Sequence, residues 1–325
     1  MRSAVHREFG EPAEVLACID SAIPEPAAGE VRIRMQLAPI HNHDLWTIRG
    51  QYGYKPRLPA IGGSEGLGVV DAIGEGVEGL HLGQRVTAAS GRGTWAEYFV
   101  ASAKMVIPMP DAIADELAAQ LVAMPLSALM LLEFLQVEPG QWIVQNAANG
   151  AVGKTLAMLA AARGVHVLSL VRRDAGVDEM AAAGVGNVVS TQAPEWRKQA
   201  KAILGENRAH AAVDSVGGQA SADLLSLLGE DGVLVSFGSM SGEPMVVPSG
   251  DMIFRHITVK GFWGSRVSRE MAVTDKRRLV GELVQRAIGG ELRLPVDGIH
   301  DLEEAAQAVA ASLQPGRRGK VLLRA

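Results

Sequence analysis

The sequence predicts an α/β protein: a parallel sheet covered by helices on both faces, preceded by a domain of short strands. Two changes of character along the 325 residues carry this reading. Up to about residue 110 the chain is rich in Gly, Pro and short β-type runs: "EVRIRMQLAPI", "GLGVVDAIG", "QRVTAAS" and "WAEYFVAS". Short strands separated by turn residues predict a barrel or an irregular β domain. From about Ala112 the pattern turns helical, with "IADELAAQLV" and then "PLSALMLLEFLQV", stopped by Pro139-Gly140.

A strict alternation follows. "QWIVQNA" leads into the helix "GKTLAMLAAARG" and the strand "HVLSLV". "AAVDSV" precedes the helix "ASADLLSLLG", and "GVLVSFG" and "ITVKGFWG" are further strands. Strands that read as continuous apolar runs, alternating with helices, are buried on both faces in a parallel sheet. The tail holds the helix "DKRRLVGELVQRAIGG", then "LEEAAQAVAASL" and a closing strand "GKVLLRA".

Composition narrows the function. The chain is 48% hydrophobic and 21% charged, with a net charge of −5. An acidic balance without a basic block argues against nucleic acid or an anionic membrane as partner. The single cysteine, Cys18, excludes an intramolecular disulfide and a Cys-based structural zinc site, and suits a reducing compartment. No basic-then-apolar leader opens the chain, and no apolar run reaches the roughly 18 residues of a membrane span. A cytoplasmic protein is expected.

The segment "VQNAANGAVGKTL" (144–156) ends a strand, turns through glycine and begins a helix. In the Gly-x-Gly-x-x-Gly register its three positions are Ala148, Gly150 and Gly153. Gly150 lets backbone N–H groups approach a pyrophosphate, and Gly153 allows close helix–strand packing. Ala148 weakens the motif, and a purely structural glycine turn is the competing reading. The next strand ends in Arg172 and Arg173 rather than in the acidic residue that would bond an NAD ribose. Two guanidiniums suit a 2′-phosphate by charge and fork geometry, so NADPH is expected.

These motifs, together with "RGQYG" (49–53), "LPAIGGSEG" (58–66), "GTWAEY" (93–98), "VDSVGG" (213–218), "FGSM" (237–240), "GFWGS" (261–265) and the closing "GK" (319–320), carry a resemblance over nearly the whole chain. The chain resembles the zinc-free medium-chain dehydrogenases/reductases, and most of all the 2-enoyl thioester reductases of the mitochondrial type. The resemblance implies a GroES-like β-barrel catalytic domain from residues 1–120 and 266–325, and a Rossmann NADP-binding domain from 121–265. It also implies a homodimer, in which the last Rossmann strand, "ITVKGFW", pairs with its copy.

The stretch "HNHD" (41–44) suggests half of a metal site. In zinc-dependent relatives the three ligand positions correspond to His41, Ser64 and a place near Ala123, and only the first can ligate. Catalytic zinc needs three protein ligands and an open position. If the segment is a strand, His41 and His43 share a face, but a third ligand is lacking. No metal is expected. Bonding of a histidine to backbone or to Asp44, or a place in the substrate cleft, is the better reading.

Without zinc, the chemistry left to an NADPH site is reduction of an activated C=C bond. Hydride reaches the β-carbon, charge builds on the carbonyl oxygen, and an acid protonates the α-carbon. By resemblance Tyr52 is the proton donor, and a phenol keeps its proton at neutral pH. Tyr54 competes with it two residues later. Trp263 flanks the nicotinamide or the acyl channel. The implied cofactor contacts are Asn149, Gly150, Ala151, Val152 and Gly153 at the turn, Arg172 and Arg173, Phe237, Gly238, Ser239 and Met240, Phe262 to Ser265 including Gly264, and Lys320. His41, His43, Ser64 and Met124 are expected to shape the substrate cleft. They are also where the chain departs from its relatives, which carry Asn-Pro-Ser before the Asp, Asn for Ser64 and Asn for Met124. "MPLSAL" reads more like a quinone oxidoreductase. Three functions therefore stay open: an enoyl thioester reductase, a quinone or enone reductase, and a nucleotide-binding protein without turnover.

Overall fold

A computed structural model describes residues 1–89 and 93–325. Ser90, the end of the expected strand "QRVTAAS", lies outside the described residues; the strand itself spans Arg85–Ala88. The chain forms two compact units, Met1–Ala123 with Leu294–Ala325, and Met124–Arg293.

The first unit is built on the ten-residue strand Glu30–Pro39, in which Val31, Ile33 and Met35 alternate into the core. One edge pairs antiparallel with Gly66–Ile73. The other edge is shared: residues 30–34 pair with Tyr98–Ser102, and residues 37–39 with Lys320–Arg324. The closing strand of the chain is thereby woven into the barrel, and Val296–Asp301 pairs parallel to it. A smaller antiparallel sheet joins Leu16–Asp20, Arg2–His6 and Ala60–Ile61. Trp95, Phe99, Leu45 and Ile48 fill the barrel core with these alternating residues.

Residues Asn42–Ile48 form a short helix rather than a strand, so His41 and His43 do not share a strand face. The helix backbone is held at the start by Asp44, whose carboxylate accepts the His41 N–H at 3.0 Å. Leu45 and Ile48, three apart and both buried, dock it on the barrel. The expected helix "IADELAAQLV" is helical only over Asp115–Ala118.

The second unit carries, among the described residues, a six-stranded parallel sheet in the order Val188–Ser190, His166–Val171, Trp142–Gln145, Ala209–Asp214, Leu228–Ser236, Thr258–Gly261. In chain order this is 3-2-1-4-5-6, the doubly wound dinucleotide-binding arrangement. Its core gathers Val144, Leu168, Leu170, Ala212, Leu234 and their helical partners. The segment 266–293, read from sequence with the barrel, groups instead with this unit. In its helix Val273–Ile288, Leu279, Leu283 and Ala287 are buried. Glu282 and Glu133 hold Arg163 between them at 2.7 Å each.

Candidate active site

The barrel unit concentrates ionisable side chains at one place. Ser64 and Glu65 follow a glycine pair packed under Trp95. Gly63 has φ +86°, and a Cβ there would fall 2.3 Å from the Trp95 ring. Only glycine fits, and the two residues after it are set in position. Glu65 is fully buried. Its Oε1 accepts the Val122 and Ala123 N–H groups at 2.8 and 3.0 Å, and its Oε2 lies 2.7 Å from His41 Nε2. Burial pushes the Glu65 carboxyl up to about 7, against the opposing pull of those two N–H groups. Burial holds the His41 imidazole well below the ordinary histidine range, and the positive charge on Lys320 acts in the same direction. The two groups therefore share one proton rather than form a buried ion pair, which spares the desolvation of two charges.

His43 is half-buried beside this pair. Its Nε2 lies 2.7 Å from Ser64 Oγ and 3.4 Å from Asp44 Oδ1. Its ring stacks on His41 at 5.1 Å and 19°, and packs at 5.8 Å and 32° against Tyr52. The Lys320 ammonium donates to the Ile40 carbonyl at 3.2 Å. Burial brings Lys320 down to about 8, with the charges of Asp44 and Glu65 opposing and Arg317 reinforcing. Five residues singled out from sequence, His41, His43, Tyr52, Ser64 and Lys320, are thus brought into one neighbourhood. Glu65 and Asp44 complete it. Glu65 was missed as a functional residue, although an acid placed directly before the apolar run "GLGVV" was the available signal.

A metal does not fit this donor set. His41 Nε2 is committed to Glu65, His43 Nε2 faces a serine hydroxyl, and no group of three His, Cys, Asp or Glu among the described residues is arranged to hold an ion.

The second unit gathers most of the other residues at the carboxyl ends of its strands. Gly150 caps the helix Ala151–Ala162 without a side-chain cap, so the N–H groups of its first turn are left for an anion. A Cβ on Gly153 would lie 2.5 Å from the Ala148 carbonyl, so the close helix–strand approach requires glycine. Asn149 donates to Glu179 at 3.0 Å. Arg172 is exposed and Arg173 half-buried, directly after the strand His166–Val171.

Asp214, buried at the end of its strand, fixes the neighbouring turns. It accepts from Asn146 Nδ2 at 2.7 Å, from the Val216 and Gly217 N–H groups at 2.9 Å each, and from Ser221 Oγ at 2.5 Å. Its backbone carbonyl takes the Phe237 and Gly238 N–H groups at 2.8 and 3.1 Å. Phe237 stacks on the buried Phe262 at 5.8 Å. Ser239, Met240 and Ser265 are exposed, and Met124 is half-buried in the helix Ala123–Leu135. Trp263 is 44% exposed and caps the helix Gly264–Glu270, with Gly264 close to Ser127. These groups fit a dinucleotide: an uncapped helix start, a glycine cradle and two arginines.

A Rossmann-type sheet with a glycine turn, carried in one chain with a GroES-like barrel unit, defines a two-domain oxidoreductase. The chain belongs to the medium-chain dehydrogenase/reductase superfamily. Residues 27–111 match the alcohol dehydrogenase GroES-like domain, and residues 151–277 the zinc-binding dehydrogenase family. The human mitochondrial enoyl-[acyl-carrier-protein] reductase is 31% identical over 99% of this chain and 88% of its own length. A mycobacterial quinone oxidoreductase matches with TM-score 0.88 at 26% identity, over the whole of both chains. A mycobacterial protein complexed with NADPH matches with TM-score 0.88, again at 26% identity over both chains. No helix among the described residues is long and apolar enough to cross a membrane.

Proposed function

We propose that this oxidoreductase uses NADPH to reduce the C=C bond of a 2-enoyl thioester, with Tyr52 as proton donor. The observation that carries the reading is the packing of Tyr52 against His43, within a cluster of buried and half-buried polar groups. Likeness to the human enoyl-[acyl-carrier-protein] reductase over nearly the whole chain supports the substrate class, and the NADPH-bound relative supports the cofactor.

In this proposal Met124–Arg293 binds the nucleotide and the barrel unit carries the proton chemistry. The first-turn N–H groups after Gly150 face the pyrophosphate, and Arg172 and Arg173 the 2′-phosphate. Phe237 to Met240 and Phe262 to Ser265 would flank the nicotinamide. NADPH, when bound, would supply the hydride that adds to the β-carbon. The C=C electron pair shifts toward the carbonyl, giving an enolate. Tyr52 then delivers its proton to the α-carbon and regains one from solvent, so that one hydride and one proton are consumed per turnover. Within the barrel unit, His41, His43 and Ser64 shape the substrate site. The open edge strand Thr258–Gly261 and the exposed Ile253 and Phe254 support a homodimer through this edge. A cytoplasmic location, supported by the single half-buried thiol Cys18, completes the proposal.

A second reading, hydride transfer to a quinone, is supported by likeness to the mycobacterial quinone oxidoreductase. There Tyr52 has no proton to give to carbon. NADPH oxidation measured with crotonyl-CoA, with a quinone and with neither distinguishes the two. A rate only with quinone would contradict the enoyl assignment.

A further inference from the structure

We infer that the Ser64 hydroxyl is the hydrogen-bond donor to the substrate's carbonyl oxygen, and that Asp44 and His43 orient it for that purpose. This rests on the enoyl thioester reading and adds a residue to it.

The order of the three groups decides the direction of the bonds. Asp44 is buried, and its Oδ2 is fixed by the His41 N–H at 3.0 Å. Its Oδ1 lies 3.4 Å from His43 Nε2. A carboxylate on that side favours the imidazole tautomer that carries its proton on Nε2. Ser64 Oγ, at 2.7 Å from the same nitrogen, is the nearer acceptor and takes that proton in a hydrogen bond. The reverse arrangement, with Ser64 donating to a bare Nε2, would turn a nitrogen lone pair toward the Asp44 carboxylate.

A serine hydroxyl has one proton and two lone pairs. With a lone pair engaged by His43, its own proton is directed away from the imidazole and is available to a ligand. The ring of His43 is packed against His41 at 5.1 Å and Tyr52 at 5.8 Å, which limits its rotation. His43 thus touches both residues in different ways, by a hydrogen bond to the Ser64 hydroxyl and by ring packing against Tyr52. As hydride adds to the β-carbon, the C=C pair becomes the bond between the α-carbon and the carbonyl carbon, and the C=O pair moves onto oxygen. Ser64 stabilises that oxygen by a hydrogen bond and keeps its proton throughout. Tyr52 protonates the α-carbon, and the carbonyl reforms. A donor aimed at developing charge acts on the barrier more than on substrate binding.

The test uses the full chain with NADPH and crotonyl-CoA, on wild type, Ser64→Ala, Ser64→Thr, His43→Phe and the Ser64→Ala/His43→Phe double variant. Ser64→Ala is expected to lower kcat about 100-fold, with NADPH affinity by fluorescence titration unchanged. Ser64→Thr keeps a hydroxyl and is expected to recover to within about tenfold of wild type. His43→Phe keeps a ring in the stack but loses Nε2, and is expected to match Ser64→Ala. The double variant is expected to be no more than about threefold slower than either single one, because the two residues share one task. A wild type that reduces crotonyl-CoA while folded Ser64→Ala or His43→Phe stays within about threefold of it overturns the role of Ser64 and leaves the enoyl reading standing. A wild type that oxidises NADPH with quinone but not with crotonyl-CoA overturns both. If Ser64→Ala does not fold, His43→Phe and Ser64→Thr decide: wild-type kcat in His43→Phe refutes the inference, and a loss there with activity kept in Ser64→Thr supports it.

Discussion

The Glu65 carboxylate and the His41 imidazole meet at 2.7 Å with both side chains fully out of water. Burial raises Glu65 from an ordinary 4.5 to about 7 and depresses His41 well below an ordinary 6.5. Taken singly, Glu65 stabilises the fold below pH 4.5 and loses that contribution as pH rises through about 7. His41 stabilises above pH 6.5 and loses its contribution as pH falls. Together they oppose each other. Between pH 4.5 and 6.5 the unfolded pair holds one proton on His41 and the folded pair holds one on Glu65, so this pair adds no slope there. In Glu65→Gln only the His41 half remains. Below pH 6.5 that variant is expected to lose stability relative to wild type at a limiting slope of about 1.4 kcal/mol per pH unit. Urea denaturation of both proteins at several pH values between 5 and 7 checks this.

Asp214 gathers four hydrogen bonds from Asn146, Val216, Gly217 and Ser221 at the end of its strand. Asp214→Ala leaves those donors unpaired in a buried place, and is expected to cost about 3 kcal/mol. Asp214→Asn keeps part of the acceptor set and is expected to cost less. Chemical denaturation followed by fluorescence gives both values.

How much of this was legible follows from where each contact comes from. The strand His166–Val171 announced itself because residues 167–171 are all buried, so the run "HVLSLV" is apolar on both faces. The glycine turn before helix Ala151–Ala162 was readable for the same local reason. The helix Asn42–Ile48 was not: only Leu45 and Ile48 give it an apolar face, and its start depends on the bond from Asp44 to His41. Glu65 was still less accessible, since its partners lie 24, 57 and 58 residues away in sequence. The strand Val296–Asp301 has an exposed-looking sequence, "VDGIHD", and exists because it pairs with the closing strand.

Arg172 and Arg173 test the cofactor assignment. Replacing both with Ala removes the charge proposed to face the 2′-phosphate. The KM for NADPH is expected to rise about 30-fold while that for NADH changes little, because charge-assisted bonds to phosphate are among the strong ones. Steady-state kinetics with the two nucleotides measures the ratio.

The outer strand Thr258–Gly261 tests the assembly. Phe254 is 80% exposed and Ile253 61%, close in sequence to that open edge. If the proposed dimer forms through this edge, Phe254→Asp is expected to convert it to monomer in analytical ultracentrifugation, because a charge buried in an apolar interface is not compensated. Secondary structure by circular dichroism is expected to be unchanged.

Tyr52 is the proposed proton donor. Tyr52→Phe keeps the ring against His43 and removes the proton, so kcat with crotonyl-CoA is expected to fall about 100-fold with the KM for NADPH unchanged. The most direct measurement is the fate of label in a single turnover, with crotonyl-CoA, nicotinamide-deuterated NADPH and the product read by mass spectrometry. Butyryl-CoA is expected with the cofactor's deuterium on the β-carbon and a solvent-derived hydrogen on the α-carbon, formed far more slowly by Tyr52→Phe. Crotonyl-CoA returned unchanged, while the same enzyme reduces a quinone at equal rates with and without the tyrosine hydroxyl, would contradict that expectation.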